Sequence, residues 1–199
     1  ERMEVAPDKT ALPYESLAIM IFRREQLINI VTQATAQGRH HIIRDVLQRA
    51  INEKTLRVMG YRCPVPAWSI HSVRSYYRFN MDMLNSALRA RLFDPSLPVY
   101  TKVRDDMPAY FSPEANVSGS LIANGARVCG TVVNSVIFRG VTVEKGAVVR
   151  NSIVMQDANV GEKAEMDHCI IDKNASIRAG GRLIGPETYP IVISKNVTI

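Results

Sequence analysis

From residue 115 to 199 short apolar triplets alternate with turns carrying Gly, Asn, Asp or Lys, and no helical period survives. The triplets recur. Ala126-x-Val128, Val141-x-Val143, Ala158-x-Val160, Ala175-x-Ile177 and Ile191-x-Ile193 follow one another at spacings of 15, 17, 17 and 16. Ala147-x-Val149, Ala164-x-Met166, Gly181-x-Leu183 and Val197-x-Ile199 come six residues after the last four of these. A third set is Ser135-Val136-Ile137, Ser152-Ile153-Val154 and Cys169-Ile170-Ile171. Residues 141–157 (VTVEKGAVVRNSIVMQD) lie over 158–174 (ANVGEKAEMDHCIIDKN) without a gap. Alternation along a strand sends residues two apart to the same side. Coils stacked about 4.8 Å apart then superpose like residues. One coil cannot bury its own interior, whereas several stacked coils can. The pattern predicts a parallel β-helix of about five coils with three faces per coil.

The first half has a different texture. YESLAIMIF (14–22) is a nearly unbroken apolar run, as expected of a strand covered on both faces. RREQLINIVTQATAQ (23–37) and HHIIRDVLQRAINE (40–53) read as helices, and TLRVMGYR (55–62) as a strand. Between Ser72 and Leu92 the residues Val73, Tyr77, Met81, Leu84 and Leu88 recur every three or four positions, which predicts one helix of about five turns. So few strands do not make a doubly covered sheet. The expectation is therefore that further strands lie upstream and that apolar surface around Leu17–Phe22 is left uncovered or is buried by another copy. Four prolines in residues 93–113 mark a linker. The fold class is α/β followed by all-β, with an α/β part at 1–95, a linker at 96–113 and the β-helix at 114–199.

Composition adds limits. The 199 residues are 46% hydrophobic and 22% charged, with a net charge of +6 and a mean hydropathy of −0.05. No apolar run approaches the roughly eighteen residues of a membrane span, and no membrane association is expected. The basic residues are scattered and accompany no nucleic-acid motif, so no nucleic-acid partner is expected. Cys63, Cys129 and Cys169 are too few and too scattered for a disulfide framework or a zinc site. They read as free thiols in a cytoplasmic protein.

Several stretches carry a family resemblance. SLAIMIF (16–22), HHIIRDVL (40–47), RSYYRFNMDML (74–84) and PVYTKVRDDMPAYF (98–111) are similar, in order, to segments of bacterial glucose-1-phosphate adenylyltransferases. The six-residue sub-spacing resembles the hexapeptide repeats of left-handed β-helices. Within the family the chain resembles the C-terminal part of the GlgD-type subunit, found beside a catalytic GlgC-type subunit and linked to glycogen synthesis. The resemblance implies a Rossmann-like nucleotidyltransferase domain ahead of a left-handed β-helix.

It also implies where chemistry should sit. Active members carry a GYWxDVGT stretch just before the NMD segment, and its Asp holds a divalent metal. Counted back from Asn80-Met81-Asp82, that Asp falls on Ser69 and the Gly-Thr on His71-Ser72, within PAWSIHSVRSYY (66–77). A one-residue slip brings Ile70, which is no ligand. A serine hydroxyl is a poor ligand for a hard cation, and nucleotidyl transfer needs its developing charge neutralised. The expectation is a regulatory, non-catalytic subunit with no metal ligands and no cofactor of its own, Mg²⁺ belonging to the complete catalytic partner. A hetero- or homo-oligomer follows from the same resemblance, with ATP, glucose 1-phosphate or a phosphorylated effector as ligands. The alternatives are a catalytically active sugar-phosphate nucleotidyltransferase and a hexapeptide-repeat acyltransferase.

Other residues carry two readings each. Ser16 falls where the family places a serine near the sugar phosphate; it also reads as a hydroxyl at the edge of a strand. His168, in the turn MDHC, reads as an acyltransferase-like base or as a surface-turn histidine. The second is favoured because no long loop interrupts the coils around it. Arg39, Arg44, Lys102 and Arg104 read as solvated charge or as contacts to a phosphorylated effector, and solvated charge is preferred.

Overall fold

Residues 16–63 and 65–199 are described by the computed structural model, together with the backbone of a short strand β1 (Arg2–Glu4). Two compact units divide the chain at Ala67 and Trp68.

The first unit is small. Helix α1 (Arg24–Ala36) ends at Gly38, whose φ of 65° and following Arg39 N–H to Ala34 carbonyl bond close the terminal turn. A π-helical segment (Ile42–Leu47) runs into helix α2 (Gln48–Asn52). The strand expected over 55–62 is shorter than expected: β2 (Met59–Tyr61) pairs antiparallel with β1. The strand expected at 14–22 is not formed over 16–22; Tyr14 and Glu15 lie outside the described residues. A strand exists only through its neighbours, and among the described residues none pairs with it. Ile19 and Ile21 are 80% and 97% exposed, so the apolar surface around Leu17–Phe22 is uncovered as the sequence suggests.

The second unit opens with helices α3 (Val73–Asp82) and α4 (Ser86–Leu92). The single helix expected over 72–92 is broken at Met83–Asn85. There the Asn85 side chain accepts from the Ala87 and Leu88 amides and starts a new helix. At the head of α3, Ser72 and Ser75 form a reciprocal capping box. Among the described residues no helix is long and apolar enough to cross a membrane.

From Tyr110 onward the chain is the predicted parallel β-helix, with three sheets of five strands. The first face carries Tyr110–Phe111, Arg127–Val128, Thr142–Val143, Asn159–Val160 and Ser176–Ile177. The second carries Asn116–Ser118, Thr131–Val133, Val148–Arg150, Glu165–Asp167 and Arg182–Ile184. The third carries Leu121–Ile122, Val136–Ile137, Ile153–Val154, Cys169–Ile171 and Ile191–Ile193. Register is residue on residue: Val128, Val143, Val160 and Ile177 stack in one inward column and are 0–1% exposed. Each such side chain contributes about 1.5–3 kcal/mol by leaving water.

Two sequence sets are corrected by this register. Ile191–Ile193 pairs with Cys169–Ile171 on the third face, not with Ala175-x-Ile177. Val197-x-Ile199 continues the first face, through the Ser176–Thr198 bridge. The segment after Ile184, GPETYP, lengthens that coil and shifts everything after it. The 15-residue spacing near the start has the opposite cause. The corner from first to second face takes Glu144–Ala147 or Gly161–Ala164 in later coils, but only Cys129–Gly130 in this one. The shortened corner draws Gly130 in until a Cβ there would press on the Ala147 and Glu144 carbonyls, 2.8 Å from the latter.

Between second and third faces the corner is polar and fully bonded. Asn134, Asn151 and His168 occupy it with φ of 46°, 42° and 51°. Asn, Asp and His are the non-glycine residues most often found in that region. Beneath them runs a buried ladder. The Ser135 amide donates to Ser120 Oγ, the Ser152 amide to Ser135 Oγ and the Cys169 amide to Ser152 Oγ, at 3.0–3.1 Å. The Ser135 and Ser152 hydroxyls and the Cys169 thiol donate back to the carbonyls of Val133, Arg150 and Asp167. Buried polar atoms are tolerated when bonded in this way.

The third face is apolar on its outer side as well: Val136, Ile153 and Ile170 are 9%, 0% and 4% exposed. Helix α3 covers them with Tyr77, flanked by Tyr76, Met81 and Leu84. Burial first, then the nearby acids Asp167 and Glu187 and the Cys169 thiol, push the Tyr77 phenol from its ordinary 10 to about 12. Burial likewise pushes the Cys169 thiol up to about 11.

Gly130→Ala should cost about 1–3 kcal/mol of unfolding free energy through overpacking. Gly180→Ala, at a φ of +70° with nothing within 4 Å, should cost about 1 kcal/mol from backbone strain alone; chemical denaturation of both variants checks the order. Because the folded chain holds the Tyr77 proton more tightly than the unfolded one, stability should fall as pH rises from 10 towards 12. Tyr77→Phe should flatten that part of the pH–stability curve. Iodoacetamide at about pH 8 should modify the half-buried Cys63 and Cys129 before the buried Cys169, as read by peptide mass spectrometry.

Candidate functional site

The residues singled out around the family's metal position lie on the segment Trp68–Ser72, at the head of α3. Apolar and polar contacts hold this segment down. The Trp68 indole N–H donates to Asp82 Oδ2 at 3.3 Å, and its ring meets Phe79 edge-on with centroids 5.0 Å apart. The His71 amide donates to Ser75 Oγ at 3.0 Å. Ser69 Oγ is hydrogen-bonded to His71 Nε2. Ser69, which the resemblance sets at the position of a metal-binding Asp, thus offers a neutral hydroxyl already engaged by an imidazole. Asp82, the carboxylate of the NMD segment, has one oxygen occupied by Trp68.

This donor set does not suit a hard divalent cation, which takes several oxygens and prefers carboxylates. Among the described residues no group of three or more His, Cys, Asp or Glu is placed to hold a metal ion. What the segment can do chemically is bind through neutral hydrogen bonds. It offers the hydroxyls of Ser69, Ser72 and Ser75 and the His71 ring; the exposed guanidiniums of Arg74 and Arg78, in the first and second turns of α3, add positive charge beside it.

The other candidates fall elsewhere. Ser16 belongs to the first unit, where its exposed Oγ accepts from the Ala18 amide at 3.2 Å. Ala18 takes a φ of 56°, and this local turn uses the hydroxyl. Arg39 and Arg44 also belong to the first unit, and Arg44 pairs with Asp45 at 2.7 Å. Lys102 and Arg104 lie exposed in the second unit. His168 sits in a turn with its Nδ1 2.7 Å from Asp167 Oδ1 and its ring 6.4 Å from that of Tyr77. Its packing is that of a structural turn residue.

Two features escaped sequence reading. The engagement of Ser69 by His71 has no signal beyond the i, i+2 spacing. The docking of α3 on the third face did have one: the triplets Ser-Val-Ile, Ser-Ile-Val and Cys-Ile-Ile are apolar at their middle, outward position, whereas the first face presents Arg127, Thr142 and Asn159 there.

Comparison with known proteins places these observations. Residues 108–188 match the family model "GlmU-like, C-terminal hexapeptide", which assigns the solenoid to the left-handed hexapeptide class. A glucose-1-phosphate adenylyltransferase of Acetivibrio thermocellus is 33% identical over 135 residues, 65% of this chain and 32% of that protein. Its counterpart from Thermotoga maritima is 32% identical over 149 residues, covering 74% of this chain and 35% of the relative. The glycogen biosynthesis protein GlgD of Bacillus subtilis is 30% identical over 183 residues, 92% of this chain and 52% of that protein. The chain thus spans about a third to a half of the length of the curated relatives it matches. With the α/β-then-solenoid order, the NMD helix and the hexapeptide coils all in place, the chain belongs to the family of the glucose-1-phosphate adenylyltransferases and GlgD proteins.

Proposed function

We propose that this chain is part of a regulatory, non-catalytic subunit of a glucose-1-phosphate adenylyltransferase. It would act in glycogen synthesis beside a catalytic GlgC-type subunit that converts ATP and glucose 1-phosphate to ADP-glucose and pyrophosphate. The observation that carries this reading is Ser69, a neutral hydroxyl bonded to His71 at the position of the family's metal carboxylate. Nucleotidyl transfer depends on a cation to offset charge on the phosphates, and that cation depends on anionic oxygens. A segment whose hydroxyl is committed to an imidazole and whose nearest carboxylate serves an indole lacks them.

The long alignment with GlgD, over 92% of this chain, supports the same assignment. Mg²⁺ then belongs to the catalytic partner, and the subunits meet as a hetero-oligomer in the cytoplasm. The acyltransferase reading loses ground because its candidate base, His168, is packed beside Tyr77 in a one-residue corner of the coil.

The test uses the full-length protein, purified alone and mixed with a GlgC-type subunit, supplied with Mg²⁺, ATP and glucose 1-phosphate. Alone, it should form ADP-glucose at least about a hundredfold more slowly than the catalytic subunit, the scale of a lost metal contribution. The mixture should exceed the catalytic subunit by itself. A rate for the protein alone equal to that of the catalytic subunit would falsify the regulatory reading.

A further inference from the structure

The segment Trp68–Ser72 is tied to the solenoid by two joints in series. The first joins segment to helix: Trp68 to Asp82 and Phe79, and Ser72 to Ser75 through the capping box. These fix the segment to both ends of α3. The second joins helix to solenoid. The Tyr77 hydroxyl donates to the main-chain carbonyl of Asn151 at 2.5 Å, across 74 positions of sequence. Its ring lies with Val136, Ile153 and Ile170 of the third face.

The receiving end is rigid. Asn151 is held in the left-handed region, with its side chain bonded to Asn134 in the coil before at 2.7 Å and to Asp167 in the coil after at 2.9 Å. Apolar packing alone lets a helix slide on a smooth column of Val and Ile, since such contacts are non-directional. The Tyr77 hydrogen bond is directional and short, so it sets where along the third face α3 stops.

We propose that Tyr77 is a positioning residue through which the corner at Asn151 sets the conformation of Trp68–Ser72. The solenoid then acts on that segment mechanically, by way of a ten-residue helix. This rests on the regulatory reading above only in assigning that segment to the face sensed by the catalytic partner; the mechanical coupling stands on the contacts themselves.

The experiment is hydrogen–deuterium exchange on the full-length protein, comparing wild type with Tyr77→Phe, which keeps the ring. The amides of Ser69–Ser75 should exchange about fivefold faster, the effect of one lost hydrogen bond. Those of Val128, Val143 and Val160 should not change. Trp68→Phe, which breaks the other joint, should loosen the same amides and leave the helix–solenoid contact intact. In the mixture with the catalytic subunit, Tyr77→Phe should lower the enhancement while the hetero-oligomer elutes unchanged on size exclusion. Unchanged exchange at Ser69–Ser75, or equal acceleration in the solenoid core, overturns the proposal. If even the wild type fails to enhance any partner, the regulatory reading falls, and the exchange data still decide the coupling.

Discussion

Residue-on-residue stacking between successive coils is the constraint on which the rest of the structure depends. A single coil has two- and three-residue strands and a cross-section too narrow to shield anything. It becomes stable only when each inward Val, Ile or Met sits over its counterpart in the next coil. The ladder of backbone hydrogen bonds between coils fixes that superposition, and the polar corner repeats it with Ser over Ser and Asn over Asn. Inside and outside are thereby set for every residue from Tyr110 to Ile193 at once. A helix can find a docking surface on the third face because its outward column is straight and apolar.

That docking changes what the α3 segment means. Its NMD residues resemble part of a nucleotidyltransferase domain, yet Tyr77, Met83 and Asn80 are buried in the unit that contains the solenoid. At the head of α3 a hydroxyl is paired with an imidazole and an indole with a carboxylate. A segment built this way holds its shape through its own hydrogen bonds and ring contact.

Much of this was legible in the residues. The solenoid could be read because its period is long and its stations recur at nearly constant spacing. The errors have physical causes. The loop GPETYP adds length to one coil, so counting by seventeen assigned Ile191–Ile193 to the wrong face; only pairing partners reveal an insertion. The break at Met83–Asn85 was hidden because the apolar period continues through it while Asn85 caps a new helix. The run from Leu17 to Phe22 is apolar enough for a central strand, but a strand is a property of its neighbours. The Ser69–His71 contact depends on a loop conformation that no periodicity encodes.

The clipped corner at Cys129–Gly130 makes the coils non-interchangeable. A stack threaded one step out of place would set this two-residue corner against a four-residue one. The mismatch would leave carbonyls crowded on one side and a gap on the other. One irregular coil thus works as a key cut into an otherwise repetitive barrel: it tells the folding chain which turn it is on, and it prevents neighbouring repeats from being exchanged or duplicated without loss.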